Sequence, residues 1–310
     1  MKKQLLIIAA SLSLMPVGNL FAVQNQTFIK STETLIAKNI SHSNHNESLM
    51  EKGDKKYKSK DYKGAITDYS KILINNPNDF HALFQRALAK SYLNDHVGAI
   101  KDYTKAIEID PEYASAYYNR GLSKDKIDDA YGAISDFNKA IAIDGKYQKA
   151  YIYRGYAKSD IGDHEGAIKD LTSAIEIKPE DAYGYSARGY VKERAGDYYA
   201  AISDYSKAIK IDPDDYYSFA GRGYAKGQIG DNKGAIIDFT KAIELNPDHS
   251  YSFFGRGVIN KISGNYDLAC DDWIKSSDLG YEGADKKANE CKNTDHVKKN
   301  IQELLSSQNY

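Results

Sequence analysis

Arginine is rare in this chain and stands at a fixed spacing. Six of the seven arginines follow one another at intervals of 34 residues: Arg86, Arg120, Arg154, Arg188, Arg222 and Arg256. An aspartate stands 16 residues after each of them: Asp102, Asp136, Asp170, Asp204, Asp238 and Asp272. A guanidinium can bind an anionic ligand or form a two-point ion pair with a carboxylate. The series therefore predicts either a row of cations in an anion-binding groove or a structural ladder of Arg–Asp pairs.

The matched recurrence of aspartate favours the structural ladder over the anion-binding groove. Asp68 continues the aspartate series one step towards the N-terminus, where Lys52 replaces arginine. An aspartate that precedes the first arginine of the series suggests that each aspartate pairs with the next arginine along the chain, that of the following 34-residue repeat, although Asp272 has no later arginine. Because buried ion pairs cost desolvation energy, we expect the ladder to set the register of the helices more than to add stability.

The other reactive side chains form no catalytic pattern. His81, His96, His164 and His249 are scattered, and the sequence contains no nucleophile–base pair, metal-spaced cluster or phosphate-binding loop. We therefore predict that the chain is not an enzyme and carries no cofactor. The two cysteines, Cys270 and Cys291, lie near the C-terminal end. In an oxidising compartment they predict a disulfide that fastens the terminal helix, and two buried free thiols are the alternative.

A repeat of 34 residues positions these side chains. The tripeptide Gly-Ala-Ile, or a variant of it, recurs at this spacing from Gly64 to Cys270, and five prolines share its phase. Each unit contains two apolar stretches with helical periodicity, separated by a break such as Gly162-Asp163. The sequence predicts seven helical hairpins, which must stack to bury their apolar faces. They cover 46–79, 80–113, 114–147, 148–181, 182–215, 216–249 and 250–283.

The unit resembles the tetratricopeptide repeat. That family has small residues at positions 8 and 20, an aromatic residue at 24 and proline at 32; the fifth repeat has Gly189, Ala201, Tyr205 and Pro213 there. The resemblance implies an all-α fold, a right-handed superhelical α-solenoid of seven helix-turn-helix repeats. Residues 284–310 would form a capping helix and tail, and the last repeat is loosely similar to Sel1-like repeats.

The resemblance also implies a concave groove lined by the first helix of each repeat, at positions that include 2, 5, 6 and 9. Aromatic residues at these positions are the predicted partner-binding residues: Phe84, Tyr118, Tyr153, Tyr156, Tyr183, Tyr190, Tyr217, Tyr224, Tyr251 and Phe254. Tyrosine combines a large contact area with a hydrogen-bonding tip. We therefore expect a scaffold or adaptor that binds a protein or peptide. Packing of these rings between repeats, a cell-envelope glycan-binding module and a non-catalytic subunit of an enzyme complex are the alternatives.

The residues before the repeats predict export to the periplasm or another extracytoplasmic compartment. Lys2 and Lys3 precede an apolar run that ends near Met15, and Ala22 offers a cleavage site, which is typical of a signal peptide over 1–22. The run is shorter than the roughly 20 residues of a membrane span, so no span is expected in the mature chain, although an uncleaved anchor is the alternative. Residues 23–45 predict a flexible linker. A formal net charge of −1 argues against nucleic acid, and the oligomeric state is left open.

Overall fold

The structure is a computed structural model that describes residues 46–293. The predicted signal peptide, the predicted linker and the end of the predicted tail lie outside the described residues. Within 46–293 every regular element is an α-helix, which confirms the predicted all-α class of helical-repeat solenoid. The handedness of a superhelix and the Sel1-like character of the last repeat stay predictions. The chain divides into two units, Met1–Ile109 and Asp110–Tyr310.

The described part of the first unit contains two helical hairpins. Its helices are α1 (46–58), α2 (Tyr62–Asn75), α3 (Phe80–Tyr92) and α4 (His96–Ile109). Tyr69, Ile72 and Leu83 are fully or almost fully buried between them.

The described part of the second unit contains five hairpins and one further helix. The first helices of the hairpins are α5 (Ala114–Asp125), α7 (Gln148–Asp160), α9 (Ala182–Arg194), α11 (Tyr216–Gln228) and α13 (Ser250–Ile262). The second helices are α6 (Ala130–Ile143), α8 (His164–Ile177), α10 (Tyr198–Ile211), α12 (Asn232–Leu245) and α14 (Tyr266–Asp278), and α15 covers 282–293. Each of these first helices also contacts the first helix of the next hairpin, so the first helices share one face of the unit.

The turn inside each hairpin is encoded by two adjacent residues. Position 15 adopts a positive φ, from 61° at Asn94 to 85° at Gly162, and this conformation ends the first helix. Position 16 is usually aspartate, whose carboxylate accepts a hydrogen bond from the backbone N–H three residues later and starts the second helix. In the fourth repeat, Gly166 N donates to Asp163 Oδ1 over 2.9 Å. The predicted break at Gly162-Asp163 is therefore a left-handed turn followed by an N-cap.

The last helix is held to the last hairpin by packing and by a covalent bond. Ala284, Ala288 and Cys291 of α15 are buried. Cys291 forms a disulfide with Cys270 of α14, with the two Cα atoms 5.5 Å apart. The helix begins two residues before the start predicted for the cap.

Candidate functional site

Every arginine of the ladder is engaged by the aspartate of its own repeat. Arg154 donates from Nε to Asp170 Oδ2 over 2.8 Å and from Nη2 to Oδ1 over 2.5 Å, and the other five pairs have the same two-point geometry. The suggested pairing of an aspartate with the following repeat's arginine is wrong, because the two helices of one hairpin place positions 7 and 23 side by side. The lysine at position 11 adds a second cation, with Lys158 Nζ 2.8 Å from the same carboxylate.

The remaining nitrogen of the guanidinium reaches back to the preceding repeat. Arg188 Nη1 donates to Thr172 Oγ1 over 3.0 Å, and Arg154 Nη1 donates to Asn138 Oδ1 over 2.7 Å. Both acceptors occupy position 25, which is Ser, Thr or Asn in the first six repeats, a signal that the sequence analysis missed. The hydrogen bonds of Arg188 to Asp204 raise the pKa of the arginine above its usual value. One guanidinium thus connects three helices through a fixed planar fork of donors, which the single ammonium group of lysine does not have.

The aspartates of the ladder are buried, while the arginines keep only a small exposed edge. Asp170 has 5% of its side chain exposed and Arg154 has 15%. In five repeats the guanidinium also lies over the ring at position 4, with Cζ 5.3–5.9 Å from the ring centroid. The ladder therefore presents carboxylate-bound guanidinium groups rather than a row of cations open to an anion.

Two of the residues predicted to bind a partner belong to the core instead. Phe84 is 8% exposed and stacks on Phe80, with ring centroids 6.1 Å apart. Tyr118 is also 8% exposed, because the ring of Tyr147 covers it at 5.0 Å. The interpretation of these two rings as contact residues is corrected, because neighbouring rings cover both of them.

The second unit contains a cavity of about 890 Å³ on the face formed by its first helices. The helices α7, α9, α11 and α13 contribute tyrosines to its wall: Tyr156, Tyr183, Tyr190, Tyr217 and Tyr251. Three other predicted residues, Tyr153, Tyr224 and Phe254, are half-buried and do not line it. The size lies within the range of ordinary ligand sites. The structure thus brings together five of the ten predicted groove residues in one cavity.

Tyr205 and Glu193 form a polar contact in the wall of this cavity. Tyr205 rises from α10, and its hydroxyl donates to Glu193 Oε2 over 2.9 Å. Gly221 admits the ring, because a Cβ there would lie 2.4 Å from Tyr205 Cζ. The small residue Gly221 at position 6 therefore leaves space for the ring of Tyr205, which belongs to the second helix of the preceding repeat. The repeat pattern predicts Tyr205, at position 24, as a scaffold ring, and Glu193, at position 12, is not among the predicted site residues.

Carboxylates and one neutral histidine complete the lining. The acidic residues are Glu180, Asp181, Glu193, Asp212 and Asp215, and none of the described residues that line the cavity is lysine or arginine. Burial raises the pKa of Glu193 to about 7, although the hydrogen bond from Tyr205 acts in the opposite direction. Burial lowers the pKa of His249 below its usual value, and its Nδ1 lies 2.7 Å from Ser252 Oγ.

Three of the acidic residues already accept hydrogen bonds within the chain, and one of them, Asp212, accepts from the backbone N–H of Asp214 over 3.1 Å. Asp181 Oδ1 accepts from the backbone N–H of Tyr183, and its Oδ2 accepts from Gln148 Nε2 over 2.8 Å. Asp215 accepts from the backbone N–H groups of Tyr217 and Ser218 at the start of α11. Glu193 differs from them, since the neutral hydroxyl of Tyr205 is its hydrogen-bond partner among the described residues.

Neither a metal-binding cluster nor a membrane-spanning helix is found among the described residues. Within 46–293, no three His, Cys, Asp or Glu residues are grouped in a way that could hold a metal ion. In the same part of the chain, none of the helices combines the length and the apolar character that crossing a membrane requires.

Comparison with known proteins agrees with the repeat architecture. The model described as tetratricopeptide repeat matches residues 114–147, 148–181, 182–215 and 216–249, and the model described as TPR repeat matches 92–125. The four adjacent matches have the same bounds as four repeats defined above. The chain belongs to the tetratricopeptide repeat family. A search of the curated proteins found no match.

Solved structures of the same repeat type are similar to this chain. A tetratricopeptide repeat protein from Parabacteroides merdae has a TM-score of 0.67 and 18% identity, over 77% of this chain and 94% of its own. The MamA protein has a TM-score of 0.52 and 29% identity, over 55% and 93% of the two chains. The C-terminal part of a repeat protein from Cytophaga hutchinsonii has a TM-score of 0.58 and 18% identity, over 76% and 98%. As a tetratricopeptide repeat protein, the chain is a scaffold for protein interaction.

Proposed function

We propose that this scaffold is an adaptor that binds a polypeptide partner in the cavity of its fourth to seventh repeats. The observation that carries the proposal is the concentration of tyrosines on the wall of a cavity of about 890 Å³. Tyr183, Tyr190 and Tyr217 are 46%, 42% and 62% exposed, so they offer contact area before any partner binds. Tyrosine is enriched in the residues that dominate binding energy at protein interfaces.

Site-specific photocrosslinking in the full chain tests this proposal. A photoreactive phenylalanine analogue replaces Tyr217 in one variant and Tyr199 in the control. Tyr199 is 74% exposed, lies on α10 and does not line the cavity. We expect an adduct from position 217 that contains peptides of a second protein, and none from position 199. Equal adducts at both positions, or no adduct at 217, would contradict the proposal. An adduct that contains no second protein and whose added mass a glycosidase removes would favour the glycan-binding alternative.

We also propose an extracytoplasmic location, which rests on the pattern of residues 1–22. N-terminal sequencing of the protein recovered from an envelope fraction tests it. Cleavage after Ala22 would make Val23 the first residue. A protein that keeps Met1 and stays with the membranes would favour the uncleaved anchor, and one recovered only from the cytoplasm would contradict export.

A further inference from the structure

The cavity of the second unit carries a local excess of negative charge. Five carboxylate residues line it without a lysine or arginine among the lining residues. The chain as a whole is balanced, with 42 basic and 43 acidic residues, so the excess belongs to this site. The two basic residues that flank Glu193 in the chain, Lys192 and Arg194, are paired with other carboxylates. Lys192 pairs with Asp204 over 2.7 Å, and Arg194 lies beside Tyr190 but pairs with Asp160.

Aromatic faces and a half-buried carboxylate together favour a cation. The face of a tyrosine ring attracts an ammonium or guanidinium group, most strongly where water is excluded. Glu193 supplies a carboxylate whose hydrogen-bond partner is the neutral hydroxyl of Tyr205, 2.9 Å away. An anionic ligand would meet these carboxylates with like charge, while an uncharged one would leave Glu193 without a counterion. The lining therefore complements a positive charge.

We propose that the cavity receives a lysine or arginine side chain from an extended segment of the protein partner, with its charge beside Glu193. The proposal rests on the proposed function and adds the chemistry of the partner. The volume of about 890 Å³ exceeds that of one side chain, so the cavity also holds residues next to the basic one. The rings of Tyr156, Tyr190 and Tyr251 line the space around the bound cation.

The titration of the lining adds a pH dependence to the proposed binding. The pKa of Glu193 near 7 means that this carboxyl group loses its proton as the pH rises through neutrality. His249, with a lowered pKa, gains positive charge only in more acidic solution. The remaining lining groups that titrate are the other four carboxylates and the tyrosines, and burial raises the pKa of Tyr205 and Tyr251. Both Glu193 and His249 therefore weaken cation binding at low pH, so affinity should rise between pH 6 and 8.

The experiment is selection from a random dodecapeptide display library on the full chain, followed by affinity measurement with synthetic copies of the selected peptides. We expect lysine or arginine to be enriched at one position. Glu193→Gln keeps an acceptor for Tyr205 and should weaken the peptide about tenfold or more at pH 8, because a buried cation loses its partner. The control Glu165→Gln removes the same charge from an exposed site on α8 and should change affinity less than about twofold, as expected for an exposed charge.

The possible outcomes separate this proposal from the one on which it rests. Peptides that need Tyr217 but carry no enriched basic residue would overturn the cationic ligand and leave the adaptor proposal standing. An empty selection would overturn both. Basic peptides that bind Glu193→Gln as tightly as the wild type would also overturn the proposal. Tyr217→Ala provides a second variant, since the exposed position of Tyr217 makes it tolerant of truncation.

Discussion

Four arginines of the Arg–Asp ladder lie on the same first helices as five tyrosines of the cavity, α7, α9, α11 and α13, yet the two regions treat charge in opposite ways. In the ladder each carboxylate is buried between an arginine and a lysine, or an asparagine in the last repeat. In the cavity, no lysine or arginine is found among the described residues that line the wall with Glu193. The difference shows which carboxylates form ion pairs within the scaffold and which are left to pair with a partner. A carboxylate that is paired with a cation of the scaffold supports the fold. A carboxylate without such a cation is available to bind a partner.

The largest expected effect tests the ladder side of this comparison. Arg154→Ala leaves Asp170 buried with Lys158 alone and removes the hydrogen bond to Asn138. Breaking a buried ion pair from one side costs about 3 kcal/mol or more, so thermal denaturation should show a clear fall in Tm. The control Arg194→Ala removes a more exposed pair with Asp160 and should cost at most about 1 kcal/mol. An unchanged Tm together with lost ligand binding would favour the anion-binding groove.

The second effect concerns the covalent bond of the scaffold. Reduction, or the double change Cys270→Ser and Cys291→Ser, opens a loop with a sequence separation of 21. The chain-entropy model gives about 3 kcal/mol for a loop of this size, and the loss should appear first in hydrogen exchange of α15. Counting thiols in denaturant without reductant is the direct check. No reactive thiol is expected, and two would contradict the disulfide.

A smaller effect, the pH dependence of stability that Glu193 causes, tests the cavity. The pKa of Glu193 is raised from 4.5 to about 7 in the folded chain, so the folded state binds the proton more tightly than the unfolded state does. Stability attributable to this group is therefore present below pH 4.5 and is lost as the pH rises to 7. Glu193→Gln should stabilise the chain at pH 8 by about 1 to 3 kcal/mol and change little at pH 4.5. Equal effects at the two pH values would contradict an uncompensated charge.

The variant Tyr217→Ala should have the smallest effect on stability and a large effect on binding. Tyr217 is 62% exposed, so Tyr217→Ala should change the free energy of unfolding by less than about 0.5 kcal/mol. The same change should remove the photocrosslinked partner or the selected peptide. Tyr118→Ala is the matched opposite, since the ring is buried, and it should cost about 3 kcal/mol or more. If both variants behaved alike, the division of these rings between core and cavity would be wrong.

Periodicity made the helices, the repeat frame and the residue types of the ladder accessible from the sequence, but not which aspartate each arginine binds. A 34-residue periodicity identifies positions that have the same role in every repeat, such as positions 7 and 23, which are Arg154 and Asp170 in the fourth repeat. It cannot report features that depend on unequal neighbours. Tyr118 is buried beneath Tyr147, whereas Phe254 at the same position of the last repeat is only half-buried. Tyr205 reaches the cavity only because Gly221 leaves space above its ring, a contact that joins two repeats and is not encoded in either alone.

The most direct test of the comparison is to measure two carboxyl pKa values by NMR of the selectively labelled full chain. Asp68 continues the aspartate series of the ladder in the first repeat, where lysines stand in place of an arginine. Burial alone would raise the pKa of Asp68, yet hydrogen bonds from Lys56 and Lys71 hold this pKa below its usual value. Burial without such a cation raises the pKa of Glu193 to about 7. We predict that Asp68 titrates below its usual range and that Glu193 titrates near neutrality, moving downward when a basic peptide binds. A Glu193 that titrates near 4.5 in the free chain and does not respond to the peptide would contradict the account.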